Sequence, residues 1–198
     1  MDTTDIKSYK EQEYSYKDIL RYAKVDNPTA EIDNLITECI NELKGKLSYR
    51  VCYKEFPITL HEKSVDLGFA LTASNNLRKN LDGCSSIILF AATIGLEIDR
   101  IIKRYSVTSP AKAVIFQAIG TERIESLCNT FNKDITTEKK ILGHITKPRF
   151  SPGYGDLPLE LQTDIFEVLE VSKHIGISLG DNLFMTPTKS VTDIIGVA

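Results

Sequence analysis

Seven residues constrain this chain more than any others. Ser86-Ile-Ile-Leu-Phe-Ala-Ala92 is apolar at every position after the serine, and Ile87 to Ala92 is the longest such stretch in the sequence. Six apolar residues are too few to cross a bilayer, which takes about 20. They are the length of a strand, and side chains apolar on both faces belong to one covered on both sides. The chain is therefore expected to fold around a central strand with helices or further strands packed above and below it. With 198 residues it has material for one substantial core.

Helical periodicity supplies the covering layers. Tyr16–Ala23 reads as a short helix with Ile19, Leu20 and Ala23 on one side. Residues 29–46 place Ile32, Leu35, Ile36, Cys39, Ile40 and Leu43 at a 3.6-residue spacing, with Gly45 as a stop. Beyond the central strand, Ile98, Ile101, Ile102 and Tyr105 mark another helix. Ser109-Pro110 pairs an N-cap residue with proline at the first helical position. The helix it opens is predicted to reach about Lys133, with Gly120, Ile124, Leu127, Cys128 and Phe131 buried. Leu159–Val171 carries a last helical stripe. Strands are expected at Tyr49–Leu60, interrupted at Pro57, and at Ser64–Leu71, followed by a helix capped by Ser74. The end reads as strand and turn: Ile177–Leu179, Gly180–Asn182, Leu183–Thr186 and Ser190–Val197.

Residues 1–13 look frayed, 134–148 polar and loop-like, and Arg149–Pro158 irregular. The fold class is thus α+β, a single domain over 16–198 with a mostly antiparallel sheet flanked by helices, preceded by a polar segment over 1–15.

Charge and cysteines narrow the function. There are 24 Lys and Arg against 27 Asp and Glu, a net charge of -3. That balance argues against nucleic-acid binding through a broad basic surface. No secretory signal or membrane span is visible, so a cytoplasmic protein is expected. Cys39, Cys52, Cys84 and Cys128 are scattered, as are His61, His144 and His174. Reduced, mostly buried thiols are expected, with neither a disulfide framework nor a clustered metal site.

The chemistry concentrates in Arg149-Phe-Ser-Pro-Gly-Tyr154. Three prolines and two glycines within 148–158 constrain the backbone yet leave it open to close approach. An arginine at one end can take a carboxylate bidentately. A tyrosine at the other offers a face to an adenine or a sulfonium. Free backbone N–H and C=O groups between them are placed to read a purine edge. The same composition equally suits a loop that Arg149 and Tyr154 merely pin to the core.

The run Arg149-Phe-Ser-Pro-Gly-Tyr-Gly-Asp-Leu-Pro-Leu-Glu-Leu-Gln162 resembles the Arg-x-x-x-Gly-Tyr segment of the cobalamin (vitamin B12)-dependent methionine synthase activation domain. Ile175-Gly-Ile-Ser-Leu and Met185-Thr-Pro-Thr-Lys-Ser-Val191 are similar to that family's ending. Asp18-Ile-Leu-Arg-Tyr22, Ala92-Thr-Ile-Gly95 and Ser109–Gly120 resemble its short, stand-alone members. The resemblance implies that Arg149, Gly153 and Tyr154 bind S-adenosylmethionine. It also implies a nearby glutamate on the long helix, for which Glu125 is the best match and Glu122 the rival, and it brings in Asp18 from the first helix. The plain alternative for Glu125 is a solvated side chain paired with Arg123 or Lys133. A further ligand-touching tyrosine of the family lies beyond the closing Gly196-Val-Ala198, so that contact is expected to be absent or supplied otherwise.

What the resemblance implies is an activation component for reductive methylation. Cob(II)alamin on a corrinoid-carrying methionine synthase or methyltransferase takes an electron from a flavodoxin or ferredoxin. The reduced cobalt then attacks the methyl of S-adenosylmethionine. Cobalt being the nucleophile, this chain need only position the donor. The alternative is an S-adenosylmethionine-dependent adaptor or sensor that docks on a corrinoid protein without catalysis.

Overall fold

A computed structural model describes residues 3–198. The apolar run lies in strand β6 (Ser86–Thr93), where Ile87 to Thr93 are all buried. Three further strands join it: β1 (Asp5–Tyr9), β2 (Tyr49–Pro57) and β9 (Ser190–Val197). The order is β1-β2-β6-β9, with every neighbouring pair antiparallel. The free edge of β9 is covered by residues 145–150. There Lys147 N donates to Gly196 O at 2.9 Å, and Phe150 and Ile194 exchange both backbone bonds at 2.9 Å. An edge left bare would template further strand pairing.

Alternation along β6 builds two cores. Ile88, Phe90, Ala92 and Ile94 face a layer made by α1 (Tyr16–Ala23), α2 (Ala30–Leu43), α4 (Glu97–Thr108) and α5 (Pro110–Ile141). Ile87, Leu89 and Ala91 face the other side. They meet α3 (Asn75–Asn80), α6 (Leu161–Val168), α7 (Val171–Ile175) and a small sheet of β3 (Thr59–Leu60), β4 (Val65–Asp66) and β5 (Leu71–Thr72). The pair β7 (Ser178–Leu179) and β8 (Met185–Thr186) leads into β9. This is the expected mixed helix and antiparallel-sheet domain. Among the described residues, no helix is long and apolar enough to cross a membrane.

Two expectations fail together. Residues 1–13 are not frayed throughout, because Asp5–Tyr9 pairs with β2. The long helix does not end near Lys133 but runs 32 residues to Ile141, about 48 Å at 1.5 Å per residue. Ile135 continues the stripe of Leu127 and Phe131 and is 1% exposed. Asp134 accepts from Tyr9 Oη at 2.8 Å, and Glu138 pairs with Lys7 at 2.6 Å. The last turns of α5 and β1 hold each other.

Smaller differences have local causes. The strand expected over Ser64–Leu71 splits into β4 and β5 around Gly68 (φ +79°), where a Cβ would lie 2.8 Å from Pro57 O. The helix expected over Leu159–Val171 breaks at Glu170, whose φ is +47°, and resumes as α7. Ser74 caps α3 as expected, its Oγ accepting from Leu77 N at 3.0 Å. Ser109 holds the cap position of α5 without a side-chain bond. All four cysteines are free thiols, and burial pushes Cys39 and Cys52 up to about 12.

Candidate functional site

Helix α1 is short, and its packing on α5 is set by the segment before it. Arg123 of α5, fully buried, donates from Nη1 to Gln12 O at 2.6 Å and from Nη2 to Glu13 O at 2.7 Å. Its guanidinium lies 4.0 Å from the Tyr14 ring centre. Glu122, 3% exposed, pairs with it and also accepts from Ser15 N at 3.2 Å. Ser15 then caps α1, its Oγ accepting from Asp18 N at 3.4 Å and donating to Asp18 Oδ2 at 2.7 Å. A buried ion pair thus straps residues 12–15 to α5 and fixes where α1 begins.

Between α1 and α5 lies a groove of about 380 Å³. Asp18 and Tyr22 line it from α1, Glu122, Glu125 and Asn129 from α5, and Glu13 from the strap. Arg21 and Lys133 are the cations of its lining, against four carboxylates. The sequence-named Asp18 and Glu125 therefore share one concavity. Glu122, the rival, is committed to Arg123 and the strap.

Arg149 stands just behind that wall, at the end of the segment along β9. Its Nη2 donates to Glu125 Oε2 and to Asn129 Oδ1, both at 3.1 Å. Its Nη1 donates to Asp193 Oδ2 at 2.8 Å. Asp193 is 1% exposed, and its other oxygen accepts from Ser151 Oγ. Burial pushes the Asp193 carboxyl up, against the opposing pull of Ser151 and Arg149. Glu125 is paired with Arg149 rather than with Arg123 or Lys133.

Gly153 and Tyr154 lie on the same loop but do not line the groove. Tyr154 is 68% exposed, and its ring meets Phe150 edge-on at 5.4 Å. Both of their amides donate within the loop. Gly153 N donates to Leu157 O at 2.9 Å and Tyr154 N to Ser151 O at 3.1 Å. Gly153 (φ +84°) turns the chain where a Cβ would meet Leu159 Cδ1 at 3.1 Å. Asp156 pins the loop's far end to α3, accepting from Asn75 N at 2.8 Å, Asn76 N at 3.1 Å and Ser74 Oγ.

Sequence reasoning missed three residues here. Asn129 lies one turn beyond Glu125, and Tyr22 one turn beyond Asp18, so both were within reach of a helical wheel. Asp193 is the sole charged residue of Ser190–Ala198. A lone carboxylate in an apolar strand was the available signal.

The family model described as "Vitamin B12 dependent methionine synthase, activation domain" matches residues 76–197, more than half of the chain. Among solved structures, "Crystal Structure of the MetH Reactivation Domain bound to AdoHcy" shares the fold, with a TM-score of 0.69 and 16% identity. The match covers 98% of this chain and 78% of that one. No curated protein gives a significant sequence match. With β6, α5, the arginine-bearing loop and β9 all inside the matched span, the chain belongs to the family of vitamin B12-dependent methionine synthase activation domains.

Proposed function

We propose that this chain binds S-adenosylmethionine in the α1–α5 groove and supports reductive remethylation of cob(II)alamin on a separate corrinoid-carrying methionine synthase or methyltransferase. A flavodoxin or ferredoxin serves as electron donor. The observation that carries the reading is the meeting of Asp18 and Glu125 in one groove, with Arg149 bound to Glu125 behind it. The similar MetH reactivation domain, solved bound to AdoHcy, supports it.

The residues fit such a ligand. A groove of about 380 Å³ is within the range of small-molecule sites. Asp18 and Glu125 suit the sulfonium and the ammonium, Arg149 the carboxylate. Tyr22 lines the groove with a ring that already carries the Arg21 guanidinium 4.7 Å from its centre, and the exposed Tyr154 ring offers an aromatic face to a ligand extending past Arg149 along the Gly153 turn. Bound there, the sulfonium supplies an electrophilic methyl group to the partner's cobalt. The protein's own residues then hold and orient it, without a nucleophile or general base of their own.

Calorimetry tests binding: the wild type binds S-adenosylmethionine, and Arg149→Ala weakens it by about 10- to 100-fold, the worth of a charge-assisted hydrogen bond. Absence of binding by the wild type removes the reading. Incubation with a reductant and a cob(II)alamin-loaded corrinoid protein tests the chemistry through methylcobalamin formation. Binding without methylcobalamin identifies an adaptor.

A further inference from the structure

The two edges of the Arg149 guanidinium are held by different kinds of carboxylate. Nη1 meets Asp193, whose side chain is 2% exposed, whereas Nη2 meets Glu125, whose side chain is 39% exposed. Asp193 stands on β9 beside Ile194 and Ile195, where an unpaired charge would be costly. Its second oxygen takes the Ser151 hydroxyl, two residues beyond Arg149. One buried carboxylate therefore holds both the arginine side chain and the start of the turn that follows it. Glu125 reaches the same arginine from the groove and is open to water.

We infer that Asp193 is a positioning residue for ligand recognition. It clamps the Nη1 edge of Arg149, so that only the Nη2 edge is offered to the groove, where Glu125 gives way to the carboxylate of an amino-acid-bearing ligand. This rests on the reading of the groove as an S-adenosylmethionine site and deepens it. Recognition is then one-edged rather than the bidentate fork expected from sequence. Selectivity for the ligand's carboxylate depends on a residue that never touches the ligand.

The test compares binding of S-adenosylmethionine with that of its decarboxylated analogue, which keeps the sulfonium and lacks the carboxylate. The wild type prefers the former by about 10-fold or more. In Asp193→Asn that preference falls to the level of Arg149→Ala, while Ser151→Ala, which removes only the turn's bond to Asp193, retains it. Preference unchanged in Asp193→Asn, or lost equally in Ser151→Ala, overturns the inference. A second readout needs neither ligand nor variant. Guanidinium ¹⁵N exchange in the free wild type shows slow rotation about the Arg149 Cζ–Nη1 bond, and fast rotation there overturns the clamp. A wild type that binds neither ligand defeats the groove reading, and the rotation measurement still decides whether Asp193 holds the arginine.

Discussion

The Nη2 edge of Arg149 already donates to Glu125 and Asn129, so a ligand carboxylate can take that edge only if one of them leaves. Glu125 is the one able to do so, being solvent-accessible and in the groove. An exposed pair of this kind is worth about 0–1 kcal/mol, less than the about 1.5–3 kcal/mol of a charge-assisted bond to a desolvated ligand. Glu125→Gln therefore has two opposed effects. It frees Arg149 for the ligand carboxylate, and it removes an anionic partner from the ligand's cationic side. The second outweighs the first, so calorimetry should show S-adenosylmethionine binding weakened by about 10-fold. Unchanged or tighter binding would mark Glu125 as a mere occupant of the arginine.

Elements meet this site through two polar anchors, and each predicts a stability change. Removing Arg123 leaves Glu122 charged and buried, and strands the carbonyls of Gln12 and Glu13. Breaking one side of a buried pair costs about 3–5 kcal/mol, so Arg123→Met should lose that much in urea unfolding. Replacing both partners by apolar residues should lose less, because no lone charge remains; an equal or greater loss in Glu122→Leu/Arg123→Met would locate the effect in the strap's carbonyls. Asp156 anchors the loop to α3, with the bond from Ser74 and those from the Asn75 and Asn76 amides holding its carboxyl below the ordinary range. A lowered folded value stabilises above the unfolded value, near 3.9, and that stabilisation is lost as pH falls through the folded one. Asp156→Asn should lower Tm at pH 7, and the gap to wild type should close as pH falls below the ordinary carboxylate range; a gap constant with pH would mean the carboxylate's charge plays no part. What sequence could show at this scale was whatever is local. The β6 run, the stripes of α1 and α2 and the Ser74 cap are all written within one turn or one strand, and all were legible. Strand β1, Asp5-Ile-Lys-Ser-Tyr9, has a single aliphatic side chain, Ile6, and that one is half exposed. Its partners Asp134 and Glu138 lie some 125 and 131 residues away. Neither the strand nor the end of α5 could be read without the other. In the candidate site, Arg149, Glu125 and Asp18 were named through the family resemblance, Glu125 with the help of a helix face. Asp193 was not, because its contact with Arg149 arises from a loop laid along a strand 44 residues distant.

At the scale of the whole molecule, the proposed function requires the charge of the groove to distinguish a methyl donor from its spent product. The chain carries a net charge of only -3, yet the groove lining sets four carboxylates against two cations. S-adenosylmethionine brings a sulfonium, and methyl transfer converts it to a neutral thioether. On the proposed function, a lining of this composition would favour the charged ligand and weaken its hold once the methyl has gone. For an open groove the difference is bounded by Coulomb energies at 4 Å, from about 1 kcal/mol in water to about 4 kcal/mol near a protein surface. Screening identifies its origin. The Debye length falls from about 10 Å at 0.1 M salt to about 3 Å at 1 M, so an electrostatic preference must shrink over that range, whereas one set by shape would persist. Competition calorimetry at low salt should give S-adenosylmethionine at least a fivefold advantage over S-adenosylhomocysteine, corresponding to about 1 kcal/mol. The advantage should narrow markedly at 1 M salt. Equal affinities at low salt would show that the carboxylates of Asp18, Glu122 and Glu125 are neutralised by their own partners, Arg21, Arg123 and Arg149, and do not sense the ligand's charge.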